Sequence, residues 1–178
     1  MRNASGTTQS TNDREVRDLI DRFELLPHPE GGYYRETYRA ASHVCTSRGT
    51  RSSATAILFL VTVERPSLFH RLLSDELWLH HGGAPLELLL LSGGTGARRL
   101  LLDRVQSGAG GEQAVPQACV PAGVWQAARV RPGGCSWALV SCLVTPGFEF
   151  ADFRVAGRTE LLKSCPDEGE LIAALTAP

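Results

Sequence analysis

The sequence lacks several features that would assign it to a well-defined class of protein. Its 178 residues carry 18 basic and 19 acidic side chains, and a net charge of −1 provides no electrostatic footprint for nucleic acid or an anionic membrane. The five cysteines include no C-x-x-C pair, and their odd number argues against a complete disulfide framework. There is neither a G-x-G-x-x-G loop between a strand and a helix nor a serine nucleophile elbow. These absences argue against nucleic-acid binding, a disulfide scaffold, a dinucleotide site and a serine hydrolase.

Long apolar segments are also missing. The longest runs, such as Ala56 to Val61 and Leu88 to Leu91, fall far short of the roughly 20 residues that span a bilayer as a helix. The first thirteen residues are polar and contain no apolar segment of the kind a secretory signal requires. We therefore expect a soluble, cytoplasmic protein, with residues 1–13 forming a disordered tail and residues 14–178 forming a single domain.

From Tyr33 onward the chain consists mainly of short β-type runs separated by glycine and proline. Nine candidate strands are present: YYRETYRA, ATAILFLVTV, DELWLHH, PLELLLLS, ARRLLLDR, VPQACV, VWQAARV, CSWALVSCLVT and FEFADFRV. This pattern predicts an all-β sandwich or barrel. We expect a short helix that begins at Asp13 before the strands, and a second one from about Pro166 to Thr176, capped by Ser164, after them.

Several predicted strands are apolar on both faces. In CSWALVSCLVT, Trp137 and Leu139 alternate with Ala138 and Val140. Such a strand needs cover on both sides, which a second sheet, a helix or a partner subunit can supply. We expect a homodimer.

The stretch FHRLLSDELWLHHGG contains the residues most suited to chemistry. Alternation in a strand places Glu76, Trp78 and His80 on one face and His81 on the other. If the segment that holds His70 folds beside the Glu76 strand, an imidazole and a carboxylate converge on one pocket, where they can transfer protons near neutral pH. Taken singly, His70 also fits a hydrogen-bonded interior histidine, and Glu76 fits a solvated strand residue.

The same stretch resembles the first motif of the cupin superfamily, H-x-H, three or four residues, E, six residues, G. His70, Glu76 and Gly83 match it, and Leu72 replaces the second histidine. The second cupin motif, P-x-G-x-x-H, resembles residues 121–126, with Gln126 in place of the histidine. Over residues 25–176 the chain resembles more closely a small cupin-like family of unknown function. The stretches that carry this likeness are Leu25 to Arg39, Phe69 to Leu88, Gly111 to Ala128 and Leu139 to Phe153.

The resemblance implies a double-stranded β-helix, or jelly roll, with short N- and C-terminal helices and a pocket. It places His81 rather than His80 in that pocket, together with His70, Glu76, Trp78 and Gln126. Cupin metal centres resemble three imidazoles and one carboxylate around a transition metal. Leu72 has no donor atom and the Gln126 carboxamide is a poor ligand, so no cofactor is expected beyond a divalent metal held weakly by His70, Glu76 and His81.

Without a metal, the pocket resembles that of cupin isomerases and epimerases that act on sugar nucleotides. We therefore expect a small-molecule ligand and proton transfer on a small, polar, carbohydrate-like metabolite, with His70 as the base and Glu76 as its partner. Tyr34 is the candidate acid, and Tyr33 is the alternative because strand parity cannot choose between them. Trp78 is expected to form a sugar-stacking wall.

Two further expectations complete the hypothesis. Arg35 or Arg71 is expected to bind a carboxylate or phosphate of the ligand through bidentate hydrogen bonds. The alternatives to an isomerase are a non-catalytic ligand-binding, sensing or storage protein and, with less support, a metal-dependent cupin enzyme.

Overall fold

The computed structural model describes residues 4–92, 96–104 and 113–177. Within them the helices are α1 (Ala4–Phe23), α2 (Arg158–Ser164) and α3 (Gly169–Ala174), with 3₁₀ turns at Phe150–Asp152 and Pro166–Glu168. The strands are β1 (Leu26–Pro27), β2 (Tyr33–Arg39), β3 (His43–Thr46), β4 (Gly49–Ser52), β5 (Thr55–Thr62), β6 (Ser67–Leu72), β7 (Asp75–Gly83), β8 (Leu86–Leu91), β9 (Ala97–Leu102), β10 (Gln117–Val120), β11 (Trp125–Val130), β12 (Trp137–Thr145) and β13 (Phe153–Val155).

Two antiparallel sheets form a jelly roll. The larger sheet has the strand order β1-β2-β5-β12-β7-β10, the smaller has β13-β6-β11-β8-β9, and β3 and β4 pair as a separate hairpin. The prediction of an all-β jelly roll with short terminal helices is confirmed.

The nine predicted strands are present, with one shortened and several others missed. FEFADFRV keeps only Phe153–Val155 as a strand, because a 3₁₀ turn occupies Phe150–Asp152. The β3–β4 hairpin was not predicted, since HVCT and GTRS carry no apolar alternation. Strand β6, which the sequence indicated only as an extended segment, pairs with both β11 and β13.

The terminal helices differ from the prediction in their bounds. Helix α1 begins at Ala4 rather than at Asp13, because no proline interrupts residues 4–12. At the other end, α2 precedes the predicted last helix, and a 3₁₀ turn and α3 occupy the predicted range. In the described part of the chain no helix is both long and apolar enough to cross a membrane. The division into a tail (1–13) and a single domain (14–178) stays a prediction.

Two apolar clusters explain why the central strands are hydrophobic on both faces. One fills the space between the sheets and includes Phe59, Trp78 and Leu88. The other lies between the outer face of the smaller sheet and the C-terminal helices, and it includes Leu89 and Ile172. Alternate residues of the LELLLL strand therefore belong to different clusters, and the helices supply the second cover.

The outer face of the larger sheet is covered less completely. Leu139 and Leu143 of β12 are half-buried there, whereas Ala138, Val140 and Val144 on the inner face are buried. The homodimer stays a prediction.

Candidate functional site

A cavity of about 150 Å³ lies between the two sheets. Its buried end is polar and is formed by His28, Glu30, His70 and Glu76. Its walls are mostly apolar or aromatic and are formed by Tyr34, Ile57, Phe59, Leu72, Val144, Phe148 and Phe150. Its mouth is formed by Glu36, Arg39 and Glu149, which are exposed.

The facing sheets bring His70 and Glu76 together. His70 lies on β6 of the smaller sheet, opposite Gln126 of β11. Glu76 lies near the start of β7 in the larger sheet, opposite Val144 of β12. Both side chains point between the sheets, and their residues are 1% and 6% exposed. The jelly roll thus places residues of two different sheets in one cavity.

A tight turn brings a second carboxylate, Glu30, to the same place. The Glu30 carbonyl accepts a hydrogen bond from the Leu68 backbone N–H at 2.7 Å. Gly31 follows with φ +114°, and a Cβ there would lie 1.9 Å from the carbonyl oxygen of Pro66. Only glycine fits this backbone and this close approach. The glycine therefore lets the turn press against β6 and buries Glu30 beside His70.

Hydrogen bonds fix the orientation of the His70 ring. Its Nδ1 lies 2.9 Å from the Leu68 carbonyl oxygen, which can only accept, so Nδ1 carries a proton. Nε2 then faces two carboxylates, at 3.4 Å from Glu30 Oε2 and 3.9 Å from Glu76 Oε2. Nε2 is therefore the nitrogen that exchanges a proton with the cavity.

A buried chain of hydrogen bonds holds Glu76. The indole N–H of Trp78 donates to Gln126 Oε1 at 3.0 Å, and Gln126 Nε2 donates to Glu76 Oε2. The Gln126 carboxamide thus uses both ends to connect the core to the carboxylate. Glu30 is held in turn by Ser67, whose hydroxyl donates to its Oε1 at 2.8 Å.

The environment shifts the pKa values of the central pair. Burial by itself lowers the pKa of His70, but the charge of Glu30 and the hydrogen bond and charge of Glu76 outweigh it and raise that pKa to about 9. Burial raises the pKa of Glu30 to about 7, with His70 opposing and Glu76 adding to the shift. Near neutral pH, His70 is an imidazolium and Glu30 is the group that gains and loses a proton.

Two further groups in the cavity are held neutral. Burial, with a smaller effect of the charge on His70, lowers the pKa of His28 to about 4. The His28 Nδ1 accepts a hydrogen bond from the Glu30 backbone N–H at 3.3 Å, so its proton is on Nε2. Burial and the charges of Glu76 and Glu30 raise the pKa of the Cys142 thiol well above its usual range, so this cysteine is no thiolate nucleophile.

Three residues predicted for the site lie outside the cavity. His81 is exposed and its Nε2 lies 2.6 Å from Ser141 Oγ, so the resemblance misplaced it, while strand parity had it on the face opposite Glu76. Arg35 pairs with Glu24 at 2.9 Å. Arg71 stacks on the ring of Trp125, 4.6 Å from its centroid.

The other predicted residues are close to the cavity, in different roles. Tyr34 lines it, with its ring edge-on to His28 at 4.6 Å between centroids, whereas the Tyr33 ring lies under the Arg65 guanidinium. Trp78 is fully buried and is not among the lining residues, so it supports Gln126 instead of forming a wall. Gln126 lies behind Glu76.

Sequence reasoning missed His28 and Glu30. Both belong to the PHPEGG segment at residues 27–32, whose two adjacent glycines are typical of a turn. The signal that was available is a histidine and an acid directly before two glycines. The contact of this turn with β6 is long-range, so nothing in the local pattern revealed it.

The residues of the cavity do not fit the usual cupin metal set of three imidazoles and one carboxylate. Leu72 lines the cavity with no donor atom, and both ends of the Gln126 side chain are already hydrogen-bonded. Among the residues that the structure describes, no group of three or more histidine, cysteine, aspartate or glutamate side chains has the arrangement of a metal site. We therefore derive no chemical step through a metal.

The fold and the cavity define a jelly-roll protein with a buried acid–base cluster. The chain belongs to the cupin superfamily, since the family described as "Cupin superfamily (DUF985)" matches residues 17–156. An uncharacterised protein of Saccharomyces cerevisiae is 29% identical over 152 residues, which cover 77% of this chain and 73% of the yeast protein.

Solved structures support the same assignment. A hypothetical protein from Leishmania major is 35% identical with a TM-score of 0.81, covering 91% of this chain and 98% of that one. A protein from Shewanella oneidensis is 30% identical with a TM-score of 0.80, covering 100% and 99%. An oxalate decarboxylase of Bacillus subtilis is similar in fold only, at 10% identity and a TM-score of 0.52, covering 88% of this chain and 38% of the decarboxylase.

Proposed function

We propose that the protein binds a small polar metabolite in this cavity and isomerises or epimerises it by proton transfer next to a carbonyl group. The observation that carries the proposal is the arrangement of His70 Nε2 within 3.9 Å of two buried carboxylates at the end of an open cavity. The cavity volume matches that of an engineered cavity of about 150 Å³ that takes up benzene. A compound of that size fits it, whereas a whole sugar nucleotide does not.

The charge states reverse the roles expected from the sequence. An imidazole with a pKa of about 9 is an acid near neutral pH, and a carboxyl group with a pKa of about 7 is a suitable base. In the proposed reaction Glu30 removes a proton from the carbon next to the carbonyl. The electron pair of that C–H bond forms a C=C bond, the π pair of the carbonyl group moves to its oxygen, and that oxygen takes the proton from His70 Nε2.

The intermediate is then protonated at carbon to complete the reaction. For isomerisation the substrate is an α-hydroxy carbonyl compound: Glu30 returns its proton to the former carbonyl carbon, the hydroxyl group on the original carbon gives its proton to His70 Nε2, and that carbon becomes the new carbonyl. For epimerisation a second acid protonates the opposite face of the original carbon, the oxygen returns its proton to His70 Nε2, and exchange with solvent restores the two acid–base groups. Tyr34 lines the same cavity and is the candidate acid for the second case. Both reactions balance without an oxidant or a reductant, which agrees with a cavity that offers only acid and base groups.

Incorporation of solvent deuterium tests the proposal. The protein is incubated in D₂O with trioses, tetroses, pentoses and their amino derivatives, and exchange at carbon is followed by proton NMR. Glu30→Gln and His70→Gln are expected to lower the exchange rate about 10²- to 10⁴-fold. The matched controls are Glu24→Gln and His81→Gln, which alter exposed residues outside the cavity. Exchange that persists in Glu30→Gln contradicts the assignment of the base.

One observation favours a second candidate, a non-catalytic ligand-binding protein. The polar groups at the buried end are already engaged within the protein, Glu76 by Gln126, Glu30 by Ser67 and His70 by Leu68. Such a fixed network suits a rigid binding pocket. Saturable binding of a compound without exchange or conversion in any of the incubations supports this candidate and contradicts the isomerase.

A further inference from the structure

The charged groups of the cavity indicate the class of ligand. This inference rests on the proposed function, because it concerns the same cavity. We propose that the cavity takes a small organic amine in its ammonium form and excludes carboxylates and phosphates. The structure thereby argues against the anionic ligand that the sequence suggested through Arg35 and Arg71.

The cation at the mouth, Arg39, uses four of its five N–H donors within the protein. Arg39 donates from Nε and Nη2 to the two carboxylate oxygens of Glu36, at 2.9 and 2.8 Å. Its Nη1 donates to Glu149 Oε1 at 3.0 Å, and Nη2 also donates to the Phe148 carbonyl at 3.3 Å. Among the lining residues two carboxylates therefore share one guanidinium, and the Arg51 guanidinium, which pairs with Asp152, also attracts Glu149.

At the buried end two carboxylates again face one cation. The His70 imidazolium faces Glu30 and Glu76 through Nε2, and its other N–H is taken by the Leu68 carbonyl. His28 remains neutral near pH 7. Among the lining residues, four carboxyl groups thus face two cations, and each cation lies within 3.9 Å of two of these carboxyl groups. Because the local dielectric constant is low, an anionic ligand is strongly repelled by these carboxylates. An ammonium group instead compensates the excess negative charge.

Aromatic rings connect the two acidic ends. Tyr34, Phe59, Phe148 and Phe150 line the cavity between the buried carboxylates and the mouth. The face of an aromatic ring carries partial negative charge, which attracts an ammonium group and disfavours an anion. The aromatic walls suit the carbon skeleton of an organic cation, and the buried carboxylates select for its charge.

Three probes of one carbon skeleton test the selection. Cyclohexylammonium, cyclohexanol and cyclohexanecarboxylate are titrated into the wild-type protein at pH 8, and binding is measured by calorimetry and saturation-transfer NMR. We expect the ammonium probe to bind about tenfold more tightly than the alcohol, and the carboxylate to bind at least about tenfold more weakly than the alcohol. Carboxylate binding as tight as that of the ammonium overturns the inference, and so does the absence of ammonium binding.

Two variants locate the effect. Glu30→Gln is expected to weaken ammonium binding about tenfold, because it removes one buried carboxylate. Glu36→Gln is expected to have the opposite effect on the anion, since it frees Arg39 donors at the mouth and lets the carboxylate probe bind. Glu24→Gln is the control, because this exposed carboxylate pairs with Arg35 outside the cavity. Equal loss of ammonium binding in Glu24→Gln and Glu30→Gln overturns the inference.

The results separate this inference from the proposed reaction. Ammonium binding without deuterium exchange in any amine contradicts the proposed catalysis and leaves the charge selection standing. Glu30-dependent exchange in a compound that carries a carboxylate or phosphate, at the rate of its amine counterpart, contradicts the charge selection and leaves the acid–base assignment standing.

Discussion

Three histidines are buried beside carboxylates in this protein, and His28 and His70 line the cavity whereas His80 does not. His70 is surrounded by Glu30 and Glu76 at the end of the cavity. His80 is also buried and lies on the inward face of β7, with its Nδ1 4.0 Å from Asp103 Oδ1. Its Nε2 donates to the Ala84 carbonyl at 3.0 Å, and its Nδ1 has no hydrogen-bond partner among the residues that the structure describes.

The difference shows what distinguishes a candidate site from a buried polar pair. His80 is absent from the lining of the cavity, and one acid lies near it. His70 has two acids beside its Nε2 and space for a ligand. A histidine and an acid in the sequence are therefore weak evidence for chemistry until the fold adds a second carboxylate and a void.

The largest expected effect distinguishes the His70–Glu30 pair from the His80–Asp103 pair by the rate of deuterium exchange. Glu30→Gln is expected to reduce deuterium exchange about 10²- to 10⁴-fold, because it removes the proposed base. Asp103→Asn, the corresponding change beside His80, is expected to leave the rate within about twofold. The rates are measured by NMR on variants with wild-type circular dichroism. A comparable loss of rate in Asp103→Asn contradicts the distinction.

A second test concerns the support of Glu76. Gln126→Leu removes the acceptor of the Trp78 indole N–H and one donor to the Glu76 carboxylate, and we expect the free energy of unfolding to fall by about 2 to 4 kcal/mol. Gln117→Leu, on the exposed face of β10, is the control and is expected to change stability by less than about 0.5 kcal/mol. Urea unfolding measures both. If the two variants are equally stable, the buried chain of hydrogen bonds does not hold the site.

Stability is also expected to depend on pH through His70. Its pKa is about 9 in the folded protein and near 6.5 ordinarily, so the stabilisation is fully present below pH 6.5 and is lost as the pH rises to 9. Glu30 adds to the decline up to pH 7, whereas His28 acts in the opposite direction only below pH 6.5. Melting temperatures between pH 6.5 and 9 should therefore fall, by the equivalent of roughly 2 to 3 kcal/mol.

Variants assign this decline to one histidine. His70→Gln should flatten the dependence above pH 7, whereas His80→Gln and His81→Gln should retain it. A flat profile in the wild-type protein, or a decline that survives in His70→Gln, contradicts the ion pairing of His70.

The smallest expected effect is at His81. Because its ring is exposed and bonds only to Ser141, His81→Ala should change the free energy of unfolding by less than about 0.5 kcal/mol and leave exchange unchanged. Thermal unfolding and the exchange assay check this together. A loss of deuterium exchange in His81→Ala contradicts this prediction and supports the role in the pocket that the resemblance implied.

Local sequence patterns predicted the parts of the fold that depend on local rules. Alternation in DELWLHH correctly placed Glu76, Trp78 and His80 on the inward face, and glycine and proline separated the strands. The resemblance to the cupin-like family is confirmed by the family match over residues 17–156. The β3–β4 hairpin was not predicted because its strands are mostly polar and exposed.

The candidate site was predictable only in part, for a physical reason. His70 and Glu76 lie six positions apart in one stretch, so a single motif suggested both. Glu30 reaches them through a turn that contacts β6 across the fold, and its pKa depends on burial that no local pattern specifies. The proposed assignment of Glu30 as the base and His70 as the acid follows from that burial. It could therefore not be predicted from the sequence.

The central claim is that Glu30 is the group that titrates near neutral pH beside a protonated His70. NMR titration of protein labelled with ¹³C at the glutamate side-chain carboxyl carbons tests it most directly. We predict one carboxyl resonance with a midpoint near pH 7 that is missing in Glu30→Gln and retained in Glu24→Gln. A titration in which every glutamate has its midpoint below about pH 5 contradicts the claim.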